Sequence, residues 1–434
     1  MRQYLLLLQQ NRNYRFLWLG SVASQLGDWF NLLAAASLLT TLTNSGVAIS
    51  YLFLARFLPL FLFSPLAGLL ADRVNRRALL IVSDLLRALV VLGFLLVRSA
   101  DQIWLFYLLT VLQFVLSALF TPARTALLAN VVAPQELVTA NALDSLTWST
   151  MLALGALLGG IVAAVFGAET AFVLDSLTFI LSAWLIAKIA LPGKAKTSGI
   201  RQTGWLDFVD GFRYLWGAPF ILGIALAKGL GSLVWGGINV LEITYAEQIF
   251  PLESMPLGSA LRVDNSGAAT LGLIYIVSGL GTGLGPIFMR RWLGDRRSRI
   301  FAGILFGFVL LFGGIMLLAY AGSLSLFLWG TLVRTVGSGT VWVFSAALLQ
   351  VLTPDQFRGR VFAFEFALLT LTQSVSTFFA GFAQDAWGLS VQETTAVLGW
   401  LGLGVALLWL GFHYRARSFI QKESDGPFPA NSAD

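Results

Sequence analysis

The chain has 434 residues, 57% of them hydrophobic and only 12% charged, and its mean hydropathy is +0.79. Water-soluble domains carry about a quarter charged residues, so a soluble enzyme or binding domain is excluded and an all-α membrane protein is predicted. The net charge of +6 comes without any basic–aromatic cluster, which excludes a nucleic-acid surface, and the absence of cysteine excludes disulfides, thiol catalysis and thiolate-bound metal. The single histidine, His413, falls near the end of the last apolar run and reads as an interfacial residue, so neither a metal nor another cofactor is expected.

The first residues, Met1 to Arg15, hold a run of four leucines followed by Gln9-Gln10-Asn11-Arg12-Asn13. No small-residue cleavage site follows a proper apolar core, so no removable signal is expected and the first span itself directs insertion. About 20 apolar residues cross a hydrocarbon layer of ~30 Å. On that measure spans are predicted at 16–41, 46–71, 78–99, 102–130, 138–166 and 169–190, then at 219–246, 267–290, 300–320, 322–351, 359–384 and 389–413. The one long polar interval between these sets begins Pro192-Gly-Lys-Ala-Lys-Thr-Ser-Gly, a flexible linker. It ends Trp205-Leu-Asp-Phe-Val-Asp-Gly-Phe-Arg-Tyr214, whose helical alternation of apolar and polar groups predicts a helix on the membrane surface. The expected organisation is a six-helix half over 1–191, a cytoplasmic linker with a surface helix over 192–218, a second six-helix half over 219–414, and a cytoplasmic tail over 415–434.

Charge places the two sides. Of the 28 Lys and Arg residues, 21 fall in the termini and the loops on one side, and only Arg98 and Arg262 in loops on the other. Arg56, Arg87, Arg124, Lys228 and Arg334 fall within spans. Positive residues are retained on the cytoplasmic side, so a bacterial inner-membrane protein with both termini in the cytoplasm is expected. The stretches 131–137 (Val-Val-Ala-Pro-Gln-Glu-Leu) and 351–357 (Val-Leu-Thr-Pro-Asp-Gln-Phe) repeat each other at an offset of 220, each ending one long span and opening the next. Two parallel six-helix repeats follow from that pattern.

Two glycine-rich runs carry no phosphate-binding chemistry. Gly279-Leu-Gly281-Thr-Gly283-Leu-Gly285 lies inside an apolar span and lacks a Gly-Lys-Ser/Thr ending, so a primary nucleotide-driven pump is excluded in its simplest form. Glycines four apart let membrane helices pack closely instead, and Gly155-Ala-Leu-Leu-Gly159-Gly160 reads the same way.

The loop Gly68-Leu-Leu-Ala-Asp72-Arg73-Val-Asn-Arg76-Arg77 joins the second and third spans. It resembles the signature loop of the major facilitator superfamily of secondary transporters, and Arg291-Trp-Leu-Gly-Asp295-Arg296-Arg297 is a degraded copy near the repeat offset. Gly155 to Gly160 resembles the antiporter motif of that family with Ala156 in place of its proline. Three further stretches resemble the branch holding the enterobactin exporter and macrolide efflux pumps. They are Asn11 to Gly20 with Ser24-Gln-Leu-Gly-Asp28-Trp, Thr121-Pro-Ala-Arg124 with Val132 to Glu136 and Ala140-Asn141-Ala142, and Phe172-Val-Leu-Asp175-Ser-Leu-Thr-Phe. The resemblance implies the twelve-helix fold, with the first, fourth, seventh and tenth spans around a central cavity. It also implies that Gly68, Asp72, Arg73, Arg76 and Arg77 form a gating latch, with Asp72 near the start of span 11 around Arg358 to Arg360.

A charge at mid-bilayer costs about 2.5–3.5 kcal/mol on insertion scales, so each intramembrane charge needs a partner or water. By the span limits Asp28, Lys228 and Arg334 sit near the midplane of spans 1, 7 and 10, and Glu242 lies near the outer end of span 7, where it reads equally as an exposed acid. Asp28 is expected to carry the proton, opposed by Lys228 and Arg334. Asp84 and Arg87, three residues apart, are expected to pair on one helix face. Arg124, Asp144, Asp175 and Glu365 are expected at cytoplasmic or interfacial depth, bracing the signature loop. Trp29, Phe30, Trp235, Trp342 and Phe344 give the cavity an aromatic lining suited to a bulky amphipathic or cationic molecule.

The expected function is secondary active export of a small amphipathic molecule by alternating access, driven by protons, in a monomer surrounded by membrane lipid; no bond is broken and no enzyme is implied. Two alternatives stay open on the same residues: a lysophospholipid-type flippase, and a non-transporting membrane receptor or scaffold.

Overall fold

The computed structural model describes residues 2–43, 45–133, 136–190, 204–251, 266–294 and 296–423. Among them the regular structure is helical. A short helix that the hydropathy pattern does not single out, α1 (Arg2–Gln10), comes first. Then follow α2 (Arg12–Leu42), α3 (Gly46–Arg73), α4 (Arg76–Gly93), α5 (Ile103–Val131), α6 (Leu137–Thr150), α7 (Ala156–Ala187), α8 (Gly204–Gly217), α9 (Pro219–Thr244), α10 (Ser266–Leu293), α11 (Arg297–Ala319), α12 (Leu324–Leu352), α13 (Asp355–Trp387) and α14 (Val391–Glu423). Nine helices among the described residues are long and apolar enough to cross a membrane, and Val47–Phe63 is a shorter apolar segment.

Helix starts follow local chemistry. Asn11, Ser45, Asn75 and Ser323 each accept a hydrogen bond from the backbone N–H three residues on, satisfying a donor that the first turn cannot satisfy itself. The fifth and sixth predicted spans form one run. α6 passes through a π-helical turn, Met151–Gly155, into α7, and Gly167 breaks α7 with φ of 80°, a conformation that glycine alone adopts without strain.

The chain divides into two compact units, Met1–Leu206 with Ala246–Ile276 and Asp207–Tyr245 with Val277–Asp434. In the first, α2 packs along α7, α3 along α5, and α4 against both α5 and α7. In the second, α9 packs on α13 and touches α12 and α14, while α11 packs along α12 and α14. α8 docks on the start of α13: Tyr214 stacks on Phe357 at 4.3 Å between ring centroids, and a β-carbon at Gly211 would meet Arg360 at 2.7 Å.

Small residues set the helix spacing. Gly159 touches the backbone of Trp29, and a β-carbon there would meet the Trp29 carbonyl oxygen at 2.9 Å. Gly281 and Gly285 lie against α12, where a β-carbon at Gly285 would meet Val336 Cα at 2.7 Å. The α11–α12 contact rests on Gly307, Gly314, Gly330 and Gly337.

Candidate functional site

Each unit buries charges between its own helices. In the first unit the polar line of α2, Asp28 and Asn31, meets Arg56 of α3, Asp84 and Arg87 of α4, and Asp175 of α7. Asp84 and Arg87 form an ion pair in which both side chains are buried, and the Arg87 guanidinium is held between the rings of Phe120 and Phe179, 4.4 and 4.3 Å from their centroids. The i, i+3 spacing on one helix face brings them together. Arg56 donates to Asn31 Oδ1 at 3.4 Å and lies 4.5 Å from the centre of the Phe114 ring. Asp28 is half-buried within electrostatic reach of Arg87 and Arg56, but forms no hydrogen bond or ion pair among the described residues. Asp175 is fully buried beside Gly27, the neighbour of Asp28, where a β-carbon would overlap the Asp175 carboxylate.

In the second unit α9 carries two ion pairs to different helices. Lys228 Nζ lies 3.1 Å from Glu365 Oε1 of α13 and 4.6 Å from the ring centre of Trp342 of α12. Glu242, fully buried, pairs with Arg334 of α12. Trp235 donates through Nε1 to Gln373 at 3.2 Å.

Several placements differ from those expected from the sequence. Lys228 and Arg334 are committed to Glu365 and Glu242 in their own unit, whereas Asp28 has Arg56 and Arg87 as its cationic neighbours. Glu242 is not an exposed acid. Asp175 and Glu365 are buried among helices, Glu365 beside Lys228, in keeping with the need of a charge withdrawn from water for a partner or for neutralisation. Among the expected cavity rings Phe30 and Phe344 are buried in helix packing, Trp342 is partly exposed, and Trp29 packs edge-on against Tyr275, 5.1 Å between centroids. Arg124 and Asp144 form a bidentate pair at 2.9 and 2.9 Å joining α5 to α6.

The side chains of Gly68, Asp72 and Arg73 lie outside the described residues. Arg76 and Arg77 reach the last turns of two other helices, and Arg77 caps one of them. Arg76 donates to the Ala126 carbonyl and to Asn130 Oδ1, both at 3.4 Å, near the end of α5. Arg77 donates to the carbonyls of Ile186, at 3.3 Å, and of Ala187, at the end of α7. Two residues before the first span serve the same two ends. Asn11 donates to the Val131 carbonyl at 2.7 Å, while Asn13 donates to the Ala190 carbonyl at 2.8 Å and accepts from the Ala190 N–H at 3.0 Å. Cations and amide donors at helix C-termini satisfy orphan carbonyls and oppose the negative end of the helix dipole. The Asn13→Ala variant should lose about 1 kcal/mol, a few degrees in unfolding midpoint by thermal scanning in detergent; an unchanged midpoint would show that the Asn13–Ala190 link adds nothing.

The sequence model of the Major Facilitator Superfamily matches residues 17–364. The chain belongs to the major facilitator superfamily. As a member of that superfamily it is a multi-pass membrane transporter and not an enzyme. It is 21% identical over 416 residues to the putative bacilysin exporter BacE of Bacillus subtilis, covering 96% of this chain and 98% of that one. It is 26% identical over 230 residues to the enterobactin exporter EntS of Shigella boydii, 50% of this chain and 54% of that one. The solved nucleoside transporter NupG superposes with a TM-score of 0.71 at 13% identity, over 93% of this chain and 99% of that one, which establishes the shared superfamily fold. The signature loop between the second and third spans pointed to this family from sequence. Arg56 and Asn31, which it did not single out, had one signal: a lone arginine in the second apolar run.

Proposed function

We propose that this transporter exports a small amphipathic molecule across a bacterial inner membrane by alternating access, driven by inward proton flow, as a monomer with both termini in the cytoplasm. The observation that carries the proton step is Asp28, an acid in the interior of a span with no ion-pair partner among the described residues. A carboxyl group that can be neutral or charged in a low-dielectric site biases two conformations differently, which is what coupling requires. In the second unit Lys228, Glu242 and Arg334 are the intramembrane charges assigned to coupling, and Trp342 beside Lys228 supplies an aromatic face for an amphipathic substrate. Asp72 and Arg73, with Arg76 and Arg77, form the gating latch. Export is supported by the relative named as a putative bacilysin exporter, which aligns along almost its whole length.

The test uses inverted membrane vesicles, a panel of fluorescent amphipathic cations and a fluorescent lysophospholipid, each with and without a proton gradient. Gradient-dependent accumulation of an amphipathic cation is expected. The Asp28→Asn variant should abolish accumulation against a gradient while sparing downhill exchange. Accumulation that survives in that variant rules out the coupling role of Asp28. Movement of the lysophospholipid alone, indifferent to the gradient, would replace the exporter with a flippase.

A further inference from the structure

Among its described residues the first unit holds an unequal set of buried charges. Three carboxylates, Asp28, Asp84 and Asp175, share two guanidiniums, Arg56 and Arg87. Arg87 is committed to Asp84 on its own helix and is fixed between two phenylalanine rings. Among the described residues Arg56 is therefore the cation near the two acids that has no carboxylate ion-pair partner, with Arg87 also in electrostatic reach of both. The other titratable group packed near it is Tyr275 of α10.

The two acids are not equivalent. Asp175 has 0% exposure, and among the described residues neither of its oxygens has a hydrogen-bond partner within normal distance; the Asn31 amide lies beside it, and its own Nδ2 is likewise unpartnered. Asp28 is half-buried and retains contact with the outside. The approach is built into the backbone: Gly27 leaves open the volume that the Asp175 carboxyl group and the Thr178 side chain occupy. An ionised carboxylate without donors in such a place bears a desolvation cost of several kcal/mol, and a second carboxylate in electrostatic reach adds repulsion. Two acids with one counter-charge are neutral overall when they hold one proton between them.

We propose that Asp28 and Asp175 form a single proton site, in which Asp175 holds the proton at neutral pH and Asp28 is the carboxylate through which it leaves. The O–H bond of Asp175 breaks as the proton passes to Asp28 and then to water; Arg56 is the cation that balances the charge left behind. The pair titrates as a unit and not as two independent acids. Gly27 is a positioning residue for the pair. This inference deepens the proton-coupled reading above and rests on it for its role in transport, but the site can be tested without any substrate.

The experiment is infrared difference spectroscopy of the full chain in lipid vesicles, titrated with pH. The wild-type protein should show the C=O stretch of a buried protonated carboxyl group at neutral pH. Asp175→Asn should remove that band, and Asp28→Asn should weaken it, because Arg56 then balances an ionised Asp175 without a proton. A band that persists unchanged in Asp175→Asn overturns the proposal. Folding gives a second readout. An amide replaces a neutral carboxyl group with little change, so Asp175→Asn should melt within about 2 °C of the wild type, whereas Asp84→Asn, which strips Arg87 of its partner, should melt several degrees lower. Failure of Asp175→Asn to fold would show that the ionised acid is required, and would also overturn the proposal. The two readings separate cleanly: a wild-type protein indifferent to the gradient in the vesicle assay, with the band behaving as described, removes the coupling and leaves the proton site.

Discussion

Replacing Arg334 with methionine should be the most damaging single change in the second unit. It strands Glu242, a carboxylate with 0% exposure, between α9 and α12 without its only ion-pair partner among the described residues. Breaking a buried pair on one side typically costs about 3–5 kcal/mol, because the remaining charge is left uncompensated. The expected result is an unfolding midpoint on the order of 10 °C lower, or loss of the protein from the membrane. The double variant Glu242→Gln with Arg334→Met should recover most of that loss, since a neutral pair carries no stranded charge. The readout is thermal unfolding of the three proteins in the same detergent. A methionine variant as stable as the wild type would mean that Glu242 is neutral without Arg334.

Gly337→Leu should separate α11 from α12. A β-carbon at Gly337 would stand 2.6 Å from the Leu311 amide nitrogen, and one at Gly307 would stand 2.9 Å from the Gly337 carbonyl oxygen, so the two backbones leave no room for a side chain. In lipid there is little hydrophobic gain from holding helices together, and close packing of small residues supplies much of the association. A forced insertion costs about 1–3 kcal/mol in a packed core, and a backbone wall that cannot give puts this site at the upper end. The loss should exceed that of the same substitution at Gly313, where a β-carbon meets nothing within 4 Å. Equal midpoints for the two variants would remove the helix-contact role. Gly314 places a β-carbon 2.7 Å from Arg334 Cα, so substitutions at Gly314 and Arg334 should not add.

The span pattern was legible because hydropathy follows length directly: a helix that crosses lipid must be apolar for about 20 residues. The predicted 46–71, 102–130 and 322–351 correspond to Gly46–Arg73, Ile103–Val131 and Leu324–Leu352. Which acid meets which base was not legible. Lys228 and Glu365 are 137 positions apart and Glu242 and Arg334 are 92 apart, and nothing local encodes the match. Asp84 and Arg87 were legible because a helix fixes what lies three residues away. The glycines of the α11–α12 contact do not show up as spacings of four. Gly307 with Gly314, and Gly330 with Gly337, repeat every seven residues, two helical turns that return to one face. Asn11 and Asn13 looked like a polar spacer before the first span, and only the positions of Val131 and Ala190 show what they bind.

That last arrangement has a consequence for biogenesis. Asn11 and Asn13 leave the ribosome well before their acceptors, which lie 120 and 177 residues downstream. At synthesis rates of about 5–20 residues per second, Asn13 waits on the order of ten seconds or longer before Ala190 exists. During that interval α1 and the start of α2 have no end of α7 to hold, and the inserted spans remain free to rearrange. Completion of the sixth span supplies Ala190, the partner of Asn13. A nascent chain halted between Val131 and Ala190 therefore has the acceptor for Asn11 but not the one for Asn13, so the start of α2 is tied at one of its two points.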